Sequence, residues 1–196
     1  MSPPALAIIQ RPLSYVEKLE TRALADIRLV VLHCTELPDL PLAREYGERI
    51  LYPQSQTGNS GHFYIDRDGR VEQWVAENRI AHHVRGHNAH SIGIELVNRG
   101  RYPNWLDSRH QAMTESYPDA QIDALAALIA HLEKRLPHLA QITGHEMLDT
   151  EQVPASDNPQ VRVSRKRDPG PMFPWQRLLA ACRLQFVSGS TPPPPL

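Results

Sequence analysis

Leu29–His33 reads LVVLH, four apolar residues in a row closed by a histidine. A short apolar run without alternation is the pattern of a strand covered on both faces, as in a sheet with helices on either side. The run therefore predicts an α/β domain. It also puts His33 where a sheet meets solvent, a position that can be both ordered and accessible. Neighbouring side chains of an extended segment point to opposite faces, so Cys34 is expected to pack into the sheet layer while His33 faces a cleft.

The segments around this run supply the rest of the fold. Upstream, Ser14 with Glu17 forms a capping box and predicts a helix from Tyr15 to about Ala25. Downstream, Asp39 and Pro41 open a second helix with Leu42, Tyr46 and Ile50 on its apolar side. The polar stretch 53–61 reads as a loop. Phe63–Ile65 and Val71–Val75 flank Asp66-Arg67-Asp68-Gly69, a hairpin signal, and Trp74 reads as a core or rim aromatic. Ser91–Val97 alternates, with Ile92, Ile94 and Leu96 on one face and Gly93, Glu95 and Val97 on the other. Residues 98–117 read as a long surface connection, which in compact domains is often a functional lid. Gln121–Leu136 is the clearest helix, striped by Ile122, Leu125, Ile129 and Leu132 and ended by Pro137. A short strand, 141–143, delivers Gly144 and His145. A polar loop follows over 146–164, and an amphipathic helix is expected over 175–186.

The organisation that results is an N-terminal arm (1–13), one domain (14–187) and a proline-rich tail (188–196), expected to be disordered or polyproline II. A chain of 196 residues is long enough to bury a real core. Its net charge of −1 gives no general basis for binding nucleic acid or an anionic membrane surface. Only 162–167 is locally basic, either as a solvated loop or as a substrate-facing one. Two cysteines make no disulfide framework, and a buried reduced thiol is the reading for Cys34. No apolar run approaches the roughly 18 residues a membrane span needs. The first residues lack the features of a signal peptide, so a cytoplasmic location is expected, with export by another route as the alternative.

The chemistry gathers at Arg165–Trp175, RKRDPGPMFPW. Pro169, Gly170 and Pro171 make a rigid corner that aims Asp168. His33, His145 and Asp168 together are a two-histidine, one-carboxylate set, which leaves a fourth position open on a tetrahedral zinc, as catalytic sites do. Glu95 is a carboxylate in mid-strand, where glutamate is depleted, on a face that carries a small neighbour. It is either a solvent-facing edge residue or a functional one. The tract holding His82, His83, His87 and His90 lacks the helical spacing that would present two histidines together to a metal.

Five segments, VLHCTE (31–36), SGHFYIDRDGRVEQW (60–74), AHHVRGHN through SIGIELVN (81–98), TGHE (143–146) and KRDPGP (166–171), resemble in their order the type 2 N-acetylmuramoyl-L-alanine amidases. That family includes AmpD-like enzymes, phage amidases and peptidoglycan recognition domains, and the resemblance spans 29–175. It implies a single α/β domain with a central mixed sheet flanked by helices and one zinc at one end of the strands. It implies His33, His145 and Asp168 as the metal ligands, Glu95 as acid and base, Lys166 as the partner of the oxyanion, and His83 as a cleft histidine that touches substrate. The implied reaction is hydrolysis of the amide between the lactyl group of N-acetylmuramic acid and L-alanine, in peptidoglycan or muropeptides. Gly61 departs from the phage and animal branches, which place a tyrosine there, and this places the chain with the AmpD-like branch. The 146–164 loop is longer than the family's usual link. A non-catalytic muropeptide-binding module and a zinc peptidase acting within the stem peptide are the alternatives.

Overall fold

The computed structural model describes residues 6–188. The proline-rich tail, apart from Ser188, lies outside the described residues. In chain order the strands are β1 (Ile8–Gln10), β2 (Leu29–Cys34), β3 (Phe63–Ile65), β4 (Val71–Gln73), β5 (Ser91–Leu96), β6 (Gln141–Gly144), β7 (Gln152–Pro154), β8 (Arg162–Ser164) and β9 (Gln185–Phe186). The α-helices are α1 (Leu40–Gly47), α2 (Asp119–Arg135), α3 (His145–Leu148) and α4 (Trp175–Ala181).

Seven strands make one mixed sheet in the order β1-β4-β3-β5-β2-β6-β9, and β7 and β8 form a separate hairpin. Only β3 and β4 run antiparallel within the large sheet. The LVVLH run is its inner strand β2, hydrogen-bonded on both sides to parallel neighbours β5 and β6. Every residue from Leu29 to Cys34 is buried, as a strand covered on both faces must be.

The two faces of the sheet do different work. On one, Val30, Leu32 and Cys34 join Ile92, Ile94, Leu96, Phe63 and Ile65 against Ile122, Leu125, Leu128, Ile129 and Leu132 of α2. Full burial of such side chains stabilises by about 1.5–3 kcal/mol each, so this layer anchors the sheet. On the other face a smaller cluster of Leu13, Tyr15, Leu40, Ala43, Tyr64, Trp74 and Val97 covers only part of the surface. The uncovered part of that face is the floor of a cleft. Trp74 is fully buried and stacks on Tyr64 with ring centroids 3.4 Å apart, a core residue.

Several local expectations change. No helix follows Ser14; single 3-10 turns stand at Val16–Lys18 and Leu24–Asp26. The capping box is dismantled by tertiary partners, because the Ser14 amide and hydroxyl both donate to Glu48 while Glu17 pairs with Arg79. Helix α1 starts as expected, with the Asp39 carboxylate accepting from the Leu42 amide at 2.8 Å. It ends at Gly47, however, so its buried side is Leu40, Ala43 and Gly47, and Ile50 is 44% exposed beyond its end. The 98–117 segment is not simply a surface connection, since Asn98, Arg101, Met113 and Tyr117 are buried. The polar loop at 146–164 contains the β7–β8 hairpin. Helix α4 stops at Ala181, and Gln185–Phe186 pairs with the open edge of β6 instead of extending the helix. At the other edge Ile8–Gln10, within the expected arm, adds to β4. Among the described residues no helix is long and apolar enough to cross a membrane.

Leu40→Ala is expected to lower unfolding stability by about 2–5 kcal/mol, as buried leucine truncations do. Ile50→Ala should change it by less than about 0.5 kcal/mol, because that side chain lies mostly in water. Urea unfolding of both variants distinguishes the buried side seen here from the one the sequence spacing suggested.

Candidate active site

His33 is the fifth residue of β2, and in register it faces Glu95 of β5, which in turn faces Tyr64 of β3. The alternation of β5 thus puts Glu95 on the cleft face of an inner strand, which excludes the edge-residue reading. Its side chain is only 15% exposed. Gly61 leaves the room it occupies: a Cβ there would stand 2.9 Å from Glu95 Cγ.

His145 follows directly on β6, the other parallel neighbour of β2, as the first residue of α3. The Asp168 corner is docked onto it through the backbone. The Glu146 amide donates to the Asp168 carbonyl at 2.9 Å, and the Tyr117 hydroxyl donates to the Pro169 carbonyl at 2.6 Å. His33 Nδ1 and His145 Nδ1 each stand 2.9 Å from Asp168 Oδ2 and 3.0 Å from one another. All three residues are buried, and the second carboxylate oxygen, Oδ1, is buried with no hydrogen-bond partner. Among the described residues this is the one group of histidine, cysteine and carboxylate side chains whose ligand atoms converge in this way. Two nitrogens and one oxygen at these separations fit a tetrahedral zinc with a position left open.

The electrostatics agree with that fit. Burial, helped by His145 alongside, pulls the His33 imidazole down to about 4, so at neutral pH it is neutral and carries a free electron pair. Burial pushes the Asp168 carboxyl up, but the two imidazoles set against it, His145 first and then His33, outweigh burial and hold the group well below the usual carboxylate range. Burial, then the charge of Asp168, push Glu95 up to about 8, with Lys166 opposing. Glu95 Oε1 lies 4.0 Å from His33 Nδ1, close enough to reach a small molecule at the centre without touching His33, His145 or Asp168.

The cleft around the centre has a volume of about 840 Å³, and its walls include Tyr46, Tyr52, Trp105, Arg165 and Lys166. Of the basic run, Arg165 and Lys166 therefore face the cleft, whereas Arg162 is exposed outside it. His83 also lines the cleft, with Nδ1 3.0 Å from His33 Nε2. His82 stands edge-on to Tyr52, and His87 and His90 stand edge-on to one another without lining the cleft. His62 is a buried structural residue whose Nδ1 accepts from the Gly93 amide at 3.0 Å.

One element of the wall escaped the sequence. The Arg101 guanidinium donates to both oxygens of Glu36, Nε at 2.7 Å and Nη2 at 2.8 Å, and its Nη1 donates to the Ser164 carbonyl at 2.8 Å. Trp105 Nε1 donates to the Glu36 carbonyl at 3.0 Å. This buried pair ties the 98–117 segment and β8 to the end of β2. Its members are 65 residues apart, and neither sits in a periodic pattern that would pair them.

A family profile described as N-acetylmuramoyl-L-alanine amidase matches residues 23–171. The chain is 34% identical over 130 residues to the 1,6-anhydro-N-acetylmuramyl-L-alanine amidase AmpD of Citrobacter freundii, covering 62% of this chain and 56% of the relative. The alignments span about half the length of such curated relatives. Among solved structures, the amidase LysC from Clostridium intestinale shares the fold at a TM-score of 0.63 and 20% identity, covering 91% of this chain and 99% of that one. The Escherichia coli amidase AmiD, solved with anhydro-N-acetylmuramic acid-L-Ala-D-γ-Glu-L-Lys, gives 0.58 at 26% identity over 83% of this chain and 60% of that one.

Arg101→Ala is expected to destabilise the fold by about 3–5 kcal/mol, because Glu36 would be left as an uncompensated buried charge. Arg177→Ala, which removes a surface pairing with Asp119 and Asp123, should leave the unfolding midpoint close to that of the parent. Chemical denaturation checks both.

Proposed function

The chain belongs to the N-acetylmuramoyl-L-alanine amidase family, and from that premise we propose that it is a zinc hydrolase cutting the amide between the lactyl group of N-acetylmuramic acid and L-alanine. The observation that carries the reading is the convergence of His33 Nδ1, His145 Nδ1 and Asp168 Oδ2 within 3.0 Å of one another at a cleft floor that also holds Glu95. These three residues would hold one zinc per chain. A zinc there would supply Lewis acidity, making water a nucleophile near neutral pH and drawing electrons from the substrate carbonyl.

The remaining roles fall to groups of the chain. Glu95 takes the proton of the attacking water and delivers it to the nitrogen of the departing L-alanine. A carboxyl pushed up to about 8 by burial and by Asp168 can gain and lose a proton near neutral pH. Lys166, from the same turn as Asp168, places its positive charge beside the oxyanion that develops on the carbonyl. The walls of the cleft hold the glycan and peptide ends of the substrate so that the scissile amide lies over the centre. The names of the AmpD relatives favour 1,6-anhydro muropeptides as the substrate. Such a substrate accords with a cytoplasmic role in recycling wall fragments. A binding-only module has no use for an acid–base carboxylate next to a complete ligand set, which argues for catalysis.

Incubating the protein with intact sacculi and with defined muropeptides, followed by mass analysis, tests the reaction. Release of intact stem peptides beginning at L-alanine is expected, and cleavage only within the stem would instead make it a peptidase. Metal analysis should find one zinc in the parent and in His87→Ala, and a large loss in His33→Ala, His145→Ala and Asp168→Ala. Glu95→Gln and Lys166→Met should keep zinc and fold while turnover falls, by about 10²–10⁴ for Glu95→Gln. Unchanged turnover in Glu95→Gln would assign that carboxylate a packing role only.

A further inference from the structure

The hydrogen bonds behind His33 form a chain whose direction is fixed at its far end. Ser91 Oγ lies 2.7 Å from the His87 carbonyl, which can only accept, so the single hydroxyl proton of Ser91 is committed there. Ser91 Oγ also lies 3.1 Å from His83 Nε2, and with its proton spent it must accept from an Nε2–H. A neutral His83 protonated at Nε2 presents a lone pair at Nδ1. That atom is 3.0 Å from His33 Nε2, which must therefore be the protonated nitrogen of His33. The lone pair of His33 is thereby left on Nδ1, the atom that faces Asp168 and His145.

We propose that His83 and Ser91 are positioning residues for the metal, selecting through the His87 carbonyl the one tautomer of His33 that can ligate it. The inference rests on the zinc reading above, and it replaces a substrate-contacting role for His83 with one behind the ligand. A ligating histidine needs its second nitrogen held by an acceptor, which fixes both the ring plane and the basicity of the ligating atom.

The surroundings are built for this chain. The His83 ring fills the space over Gly93, where a Cβ would come within 2.6 Å of it. The glycine next to the site on β5 is thus the seat of His83. The loop carrying His83 is pinned by Asn88, whose side-chain oxygen accepts from the amides of His83 and Val84 at 3.0 and 2.8 Å. Ser91 itself is fully buried as the first residue of β5.

The test compares two replacements of His83. His83→Leu fills the space without an acceptor, whereas His83→Asn restores an acceptor oxygen near the Nδ1 position. Zinc affinity, read by chelator competition on folded protein, is expected to fall about 10–100-fold in His83→Leu and to recover most of that loss in His83→Asn. Wild-type affinity in His83→Leu, or equal losses in both variants, would overturn the proposal. A direct reading is available without metal: long-range nitrogen–proton NMR of the zinc-free parent should show His33 protonated at Nε2, and protonation at Nδ1 overturns the inference. That measurement decides the matter even if the Leu variant does not fold. Failure of the parent to bind zinc at all would instead strike the functional reading, while the NMR result still judges the hydrogen-bond chain.

Discussion

Three electron-pair acceptors held within 3.0 Å of one another in a buried place repel, and the protein keeps them there only because rigid elements on three sides leave them nowhere else to go. His33 cannot leave β2, which is locked by parallel neighbours on both sides. His145 is delivered by one of those neighbours, and Asp168 is fastened to the first turn of α3 by a backbone hydrogen bond. A cation would relieve the repulsion, so in the proposed zinc site metal affinity and the rigidity of the sheet would be two aspects of one arrangement.

That rigidity comes from the face of the sheet that has no chemistry. Helix α2 covers one side with a continuous apolar layer, which leaves the other side free to be incompletely covered. A register in which His33, Glu95 and Tyr64 stand in one row then puts the histidine of the converging trio and the buried carboxyl side by side without any loop having to position them. The cleft wall is held differently, by the Glu36–Arg101 pair, whose buried charges hold the 98–117 segment in one place. Hydrogen bonds to both carboxylate oxygens and to a backbone carbonyl satisfy groups that would otherwise be costly to bury.

The sequence by itself determined the elements whose signal is local. An uninterrupted apolar run can be stable only between two layers, so β2 and the α/β class were legible from LVVLH, and the apolar stripe of α2 from its spacing. The converging trio of His33, His145 and Asp168 was legible because each member is marked by its own neighbours: the end of an apolar run, a short strand leading into TGHE, and a proline–glycine corner. Only the tertiary structure decided what depends on partners distant in the chain. The capping box at Ser14 failed because Glu48 and Arg79 claimed its two side chains, and Phe186 became a strand because β6 offered an open edge. Glu36 and Arg101, or His83 and His33, meet because of how the sheet is ordered, and no spacing in the chain encodes that order. Local propensity is a matter of tenths of a kcal/mol per residue, whereas a buried charge or an unpaired strand edge is a matter of several, so where the two disagreed the long-range partner prevailed.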